Sequence, residues 1–163
     1  MSVNKYKPHV LVLPEDDANR QLANGFILHP DLPARTIQVL EEVGGWLVVL
    51  TRFLDDHVAE MECNANRFMI LLIDFDADPN RLQHAKGRIP AHLADRVFLF
   101  GAWSEPEALR RALAGTYEQI GRKLADDCHE GADNTWRHEL LRHNAVEIDR
   151  LRASVRPILF PGS

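Results

Sequence analysis

The chain has 163 residues, of which 45% are hydrophobic and 26% are charged, and its formal net charge is −5 at pH 7. This length and composition are typical of one globular domain and argue against a disordered chain. The acidic charge is unlike that of proteins that bind DNA through many phosphate contacts, which usually carry a basic face. No apolar run approaches the roughly 20 residues of a membrane helix, so we expect a cytoplasmic protein with reduced thiols at Cys63 and Cys128.

The beginning of the sequence predicts a strand, a helix and a second strand. Residues 9–13 form an apolar run followed by acidic residues, which indicates a buried strand that leads into a loop. Asp17–Ile27 places its apolar residues on one helical face, and Asp16 or Asp17 is a suitable cap. Residues 36–40 alternate and include β-branched side chains, which favours a strand and leaves a helix as the alternative.

The middle of the sequence carries the clearest helix and strand signals. Apolar residues recur at helical spacing over residues 46–61. Residues 68–73 are continuously apolar, which predicts a strand buried on both faces and favours a parallel sheet. The polar segment 84–93 is expected to be a loop because it contains Gly87 and Pro90. Residues 97–100 predict the next strand.

The C-terminal part is predicted to be helical. Pro106 suits the first turn of one helix, and residues 117–127 are expected to continue it. Residues 131–134 indicate a turn, and residues 136–152 have the apolar content of a last helix.

Strands that alternate with helices predict an α/β fold with a doubly wound, mostly parallel sheet flanked by helices and a helical C-terminal part. We expect a single domain over residues 1–163, with its core at about 8–113 and C-terminal helices at about 114–156. No internal repeat or linker composition divides the sequence.

Two acidic clusters follow predicted strands. Glu15, Asp16 and Asp17 come directly after the first strand, and Asp74 and Asp76 come after the third. Ligands of such sheets bind beyond the carboxyl ends of the strands, and the two loops become neighbours if the first strand is central. Asp74 and Asp76 point the same way if the strand geometry continues, so both can approach one ion. Clustered carboxylates need protons or a cation, and oxygen ligands suit Mg²⁺ or Mn²⁺. The alternative is that these acids only cap helices.

The motif formed by Glu15 in VLVLPEDD and by Asp74 and Asp76 in ILLIDFD resembles the Toprim domain, and in particular small stand-alone relatives of the overcoming-lysogenization-defect type nucleases. The resemblance covers the predicted core and implies metal-dependent cleavage or transfer of a phosphodiester in nucleic acid. It implies that Glu15 is the general acid or base and that the two aspartates hold Mg²⁺. A phage-defence or repair complex, with a protein partner such as an ATPase, is also implied. The sequence departs from the family at Asp16, where Gly is frequent, and at Asn19, where an acidic residue is frequent.

The segment VLVLPEDDANRQLANGFI also resembles the start of a response-regulator receiver domain. This resemblance implies a signalling or interaction domain without catalytic activity, in which Asp74 accepts a phosphoryl group and Glu15, Asp16 or Asp17 holds Mg²⁺. The sequence lacks a hydroxyl-bearing residue directly after the fourth strand, where Gly101 stands, and it lacks a fifth apolar strand that ends in Lys-Pro.

Further residues are candidates for contacts with a substrate. Lys86 and Arg88 follow the third strand in a predicted loop, where a cation suits a phosphate near the metal. Trp103 follows the fourth strand at the predicted edge of the site.

Overall fold

The computed structural model describes residues 2–162 and contains a sheet of four parallel strands in the order β2-β1-β3-β4. The strands are β1 His9–Pro14, β2 Ile37–Val39, β3 Arg67–Leu72 and β4 Val97–Phe100. Since Val12 pairs with Val39 on one side and with Ile70 on the other, β1 is a central strand. The predicted α/β class with a parallel sheet is confirmed, and residues 36–40 contain a strand rather than a helix.

Helices surround the sheet. They are α1 Asp17–Ile27, α2 Trp46–Arg52, α3 Val58–Cys63, α4 Pro79–Arg88, α5 Pro106–Leu113, α6 Tyr117–Glu130, α7 Ala145–Ser154 and α8 Arg156–Leu159. A π-helical turn, Phe53–His57, joins α2 to α3, so the predicted helix over residues 46–61 is continuous. Within residues 2–162 no helix combines the length and the apolar character required to span a bilayer.

The two faces of the sheet support separate apolar clusters. Leu11, Leu13 and Met69 pack on one face with residues of α2 and α3, among them Val49 and Met61. The opposite face carries another cluster with residues of α6, α7 and α8, and it includes Val10, Phe98, Cys128, Ile148, Leu151 and Leu159. Alternating side chains of a strand point to opposite faces, so neighbouring residues of β1 serve both clusters. Helices therefore cover both faces of the sheet, as a doubly wound arrangement requires.

Helix α1 follows β1 directly and packs against α6. The side chain of Asp16 caps α1 by accepting a hydrogen bond from the Asn19 N–H at 2.9 Å. Two glycines allow the backbones of α1 and α6 to approach closely. A Cβ on Gly25 would lie 2.1 Å from the Glu118 oxygen, and one on Gly121 would lie 1.9 Å from the Leu22 oxygen. Any larger residue at either position would force the helices apart.

The predicted loop over residues 84–93 is wrong. This segment belongs to α4 and to a 3₁₀ turn, Ala91–Arg96. Asp78 caps α4 by accepting from the Asn80 N–H at 2.9 Å, and Pro79 occupies the first turn, where its missing N–H costs nothing. Gly87 falls in the last turn of α4 and Pro90 lies beyond it, so neither interrupts the helix.

The predicted helix over residues 117–127 is confirmed within α6, but it does not continue α5. The predicted helix over residues 136–152 begins too early. Ala114 has φ of +49° and ends α5, and α6 starts afresh with a capping box between Thr116 and Gln119. Residues 136–144 form turns, and α7 begins only at Ala145. The Asp127 carboxylate accepts the N–H groups of Thr135 and Trp136 at 2.6 and 3.3 Å, which holds the chain out of a helix at that point.

Candidate acidic site at the sheet edge

The loops after β1 and β3 meet, as the central position of β1 predicts. The Asp74 backbone N–H donates to Glu15 Oε2 at 2.7 Å. Glu15 is therefore oriented by the loop after β3. We call Glu15, Asp16 and Asp74 the acidic edge.

Asn19 joins two carboxylates of the acidic edge. Its side-chain amide donates to Asp16 Oδ1 at 3.0 Å and to Asp74 Oδ1 at 2.9 Å. Asn19 is fully buried, and its own Oδ1 has no hydrogen-bond partner among residues 2–162. The amide holds the Asp16 and Asp74 oxygens on either side of one nitrogen, so the two carboxylates converge.

Arg81 is the cation of the site, and the sequence interpretation missed it. Its guanidinium donates to the Asp74 carbonyl at 2.8 Å, lies 3.6 Å from Asp76 Oδ2 and stacks 4.8 Å from the centre of the Trp46 ring. Recognition of Asp78-Pro79 as a helix start would have identified Arg81, since that start places residue 81 in the first turn beside the acidic loop.

The electrostatics of the acidic edge favour a bound proton or cation. Burial, followed by the charges of Asp16, Glu15 and Glu107, raises the pKa of Asp74 to about 7, and the Asn19 hydrogen bond only partly opposes this. Burial also raises the pKa of Glu15, with a further contribution from Asp16, against the lowering effects of the Asp74 N–H and Arg81. The negative charge here thus exceeds what Arg81 compensates.

The two aspartates of the DxD motif are placed differently. The strand geometry does not continue to Asp76, which has φ of +52° and a side chain that is 74% exposed. The expectation that Asp74 and Asp76 point the same way is therefore wrong. Asp76 faces solvent and pairs with Arg81, whereas Asp74 points toward Asn19.

Asp17 lies on the outer surface of α1. It forms an ion pair with Arg20 at 2.6 Å and accepts a hydrogen bond from Gln21 at 2.5 Å, and both partners belong to its own helix. The Arg20 hydrogen bond lowers the pKa of Asp17. The structure thus brings Asp16 into contact with Asn19 and leaves Asp17 outside that group of contacts.

The predicted substrate contacts are spread over a wider area. Lys86 and Arg88 are exposed in the last turn of α4, whose first turn lies beside the acidic edge. A helix rises about 1.5 Å per residue, so the length of α4 separates these cations from Asp74. Trp103 is half-buried, and its ring lies 5.2 Å from His143 and 6.2 Å from Phe75. Its main contacts are with other rings.

The donor set of the acidic edge fits Mg²⁺ or Mn²⁺. Mg²⁺ is usually held by one or two carboxylates and keeps several waters or phosphate oxygens, which matches a convergent pair of carboxylates better than a closed cage. Asp16 and Asp74 supply that pair, whereas Asp76 contacts Arg81 instead. Another possible metal-binding group lies elsewhere among residues 2–162. It consists of His29, Asp31 and His129, whose donor atoms all lie within 4.8 Å of one another.

Comparison of the chain with protein-family models, with curated proteins and with solved structures finds no match.

Proposed function

We propose that the acidic edge binds Mg²⁺ or Mn²⁺ and serves the cleavage or transfer of a phosphodiester in nucleic acid. The observation that carries the proposal is the pair of carboxylates, Asp16 and Asp74, held on one buried amide while the pKa of Asp74 is raised to about 7. Carboxylates that lie together at the carboxyl end of a parallel sheet, without enough cations of their own, are suited to a divalent ion.

Each residue of the site has a separate role in this proposal. Asp74 and Asp16 hold the ion, which stabilises charge on the phosphoryl oxygens when bound. Glu15 is the general acid or base: its raised pKa brings it closer to the range in which a carboxyl exchanges protons near neutral pH. Arg81 has a fixed guanidinium beside Asp76 and is positioned to attract a phosphate.

The experiment is a cleavage assay on single- and double-stranded DNA and RNA with Mg²⁺ or Mn²⁺, combined with Mn²⁺ titration of each variant. We expect Glu15→Gln to abolish cleavage and to retain metal binding. Asp74→Asn should abolish both. Asp17→Asn is the matched control, because Asp17 is an exposed acid two residues from Glu15, and it should change neither. Cleavage that persists in Glu15→Gln would contradict the assignment of Glu15.

A receiver-like function is the second candidate, and the strand order favours it. The order β2-β1-β3-β4 equals the first four strands of the 2-1-3-4-5 order found in receiver domains, and Asp74 follows β3 as a phosphoacceptor would. In this case incubation with an acyl phosphate and Mg²⁺ should add the mass of one phosphoryl group to the wild type and none to Asp74→Asn. An unchanged mass, together with cleavage activity, would support the first proposal instead.

A nucleic-acid substrate also requires an explanation of how an acidic chain approaches a polyanion. The net charge of −5 opposes such an encounter, and a bound divalent ion reduces that opposition only locally. We therefore propose that the domain works with a protein partner, such as an ATPase, that supplies additional affinity for nucleic acid. Cleavage by the pure protein that is stimulated by such a partner would support this arrangement.

A further inference from the structure

A second group of metal-ligating side chains lies away from the acidic edge, where α1 and α6 end. His29 and Asp31 belong to the segment after α1, and His129 belongs to the last turn of α6. One donor atom from each residue lies within 4.8 Å of the others, and His129 Nε2 is already 3.6 Å from Asp31 Oδ2. Ligands of a tetrahedral ion with bonds of about 2.0–2.1 Å lie about 3.3 Å apart, so small side-chain movements are enough to enclose an ion.

The two imidazole rings are held in place by aromatic packing. The His29 and His129 rings are 5.0 Å apart at their centres, and the Phe160 ring lies 5.0 Å from the first and 4.8 Å from the second. His29 is only 6% exposed, whereas Asp31 faces solvent with a side chain that is 60% exposed. The group therefore combines packed nitrogen donors with an exposed carboxylate on an open side, through which an ion can enter.

The hydrogen bonds of His29 show which nitrogen carries the lone pair. The Asp31 N–H donates to His29 Nδ1 at 3.1 Å, so Nδ1 carries a lone pair and the proton of the neutral ring is on Nε2. Nε2 lies 3.3 Å from Asp126 Oδ1. A metal on Nδ1 would replace the Asp31 N–H and leave the Asp126 contact in place. This is the carboxylate–histidine–metal arrangement that orients histidine ligands in many proteins.

We propose that His29 Nδ1, His129 and Asp31 form a binding site for a transition-metal ion that prefers imidazole, with Zn²⁺ as the representative ion and Asp126 as the supporting carboxylate. Two imidazoles and a carboxylate suit Zn²⁺ and related ions better than Mg²⁺, which prefers oxygen ligands. The bound ion would connect the segment after α1 to the end of α6, at the pair of helices that Gly25 and Gly121 bring together.

The test is a Zn²⁺ titration of the full-length chain by calorimetry, with Mg²⁺ in large excess to occupy the acidic edge. All proteins carry Cys63→Ser, since the exposed Cys63 thiol is another ligand for Zn²⁺. We expect one Zn²⁺ per chain in this parent. Asp31→Asn and His129→Gln should each weaken binding by more than about tenfold, because even the loss of a supporting outer partner costs about 10–100-fold. Both side chains are partly exposed, so the variants should fold, which circular dichroism checks.

Two control variants separate this site from other surfaces. His92→Gln removes an exposed histidine that also lies near a carboxylate, with 3.8 Å between His92 Nε2 and Glu62 Oε2, and it should leave Zn²⁺ affinity unchanged. Asp74→Asn should also leave Zn²⁺ affinity unchanged. The failure of this Zn²⁺ site can therefore be distinguished from the failure of metal binding at the acidic edge. With Co²⁺ as the probe, the visible absorption of a tetrahedral ion should appear in the parent and be lost in His129→Gln. No Zn²⁺ binding by the parent, or equal binding by His129→Gln, would overturn the proposal.

Discussion

At the scale of single residues, the ionisation of Asp74 determines how the acidic edge affects stability. Burial and the neighbouring charges of Asp16 and Glu15 raise its pKa from 3.8 to about 7 in the folded protein. The folded state therefore binds a proton more tightly than the unfolded state does. The resulting stabilisation is fully present below the unfolded pKa of 3.8 and is lost as the pH rises through about 7.

We therefore predict that Asp74→Asn, in the presence of a chelator, raises the free energy of unfolding at pH 8 by about 2 kcal/mol and leaves it nearly unchanged at pH 4. The amide removes the charge at high pH and can still accept the Asn19 hydrogen bond. The full pKa shift of Asp74 corresponds to a larger free energy than this. The expected gain is smaller because solvent screens a carboxyl that is partly open to it. Urea unfolding at both pH values measures the difference.

Asp17→Asn provides the comparison for this prediction. Its carboxylate is exposed and paired with Arg20, which lowers its pKa, so neutralisation should give no gain in stability at pH 8. If Asp74→Asn were instead less stable than the wild type at pH 8 in the chelator, the carboxylate would have a favourable partner, and the site would not need a cation.

At the scale of elements, the crossing of α1 and α6 depends on glycine. We predict that Gly121→Ala lowers the free energy of unfolding by about 2–3 kcal/mol, because the new Cβ would lie 1.9 Å from the Leu22 carbonyl oxygen and 3.0 Å from the Phe26 nitrogen. These are backbone atoms, so the helices themselves must move apart. Urea unfolding monitored by circular dichroism measures the loss.

Gly87→Ala is the matched substitution in another helix. Nothing lies within 4 Å of the position that its Cβ would take in α4, so alanine should stabilise the protein by up to about 1 kcal/mol through its higher helix propensity. Equal effects of the two alanines would show that helix propensity, rather than close packing, decides the cost at Gly121.

The elements also show what the sequence could and could not predict. The strand over residues 68–73 and the helix Asp17–Ile27 were recognisable because apolar periodicity and caps are local signals. The turns over residues 136–144 were not recognisable, because they depend on contacts with distant residues. The Asp127 carboxylate in the preceding helix accepts the Thr135 N–H, and the Asn144 side chain donates to the Gly101 carbonyl at 3.0 Å. Such long-range contacts leave no pattern in the segment itself.

The same distinction applies to the acidic edge. The meeting of Glu15 with Asp74 followed from the rule that parallel strands place their carboxyl ends together. The position of Asp76 could not be predicted in this way, because its backbone has a positive φ and its N–H donates to the Ser104 carbonyl at 3.0 Å, a contact distant in sequence. Asn19 was read only as a departure from a family motif, although its amide connects the two carboxylates.

At the scale of the whole molecule, the acidic edge assembles parts of the chain that are distant in sequence. Glu15 follows β1, Trp46 begins α2, Asp74 follows β3 and Arg81 lies in the first turn of α4. An ion bound there interacts with the folded arrangement and not with the unfolded chain, so it must stabilise the fold as a whole. The stabilisation is RT ln(1 + [L]/Kd), or about 2.7 kcal/mol at 100 times Kd.

We predict that saturating Mg²⁺ raises the melting temperature of the wild type at pH 8 by about 5–10 °C, since about 1 kcal/mol corresponds to 2–4 °C in a chain of this length. The increase should be smaller at pH 5, because Asp74 is then protonated and the ion must displace its proton. Scanning calorimetry at both pH values, with and without the ion, measures the effect.

Asp16→Asn distinguishes loss of the ion from loss of the fold. Asparagine caps helices about as well as aspartate, so α1 should remain capped while one of the two convergent carboxylates disappears. The variant should therefore melt near the wild-type temperature without Mg²⁺ and gain much less with it. A gain equal to that of the wild type would mean that the ion binds elsewhere, and the convergence of Asp16 and Asp74 on Asn19 would then be only a structural contact between α1 and the loop after β3.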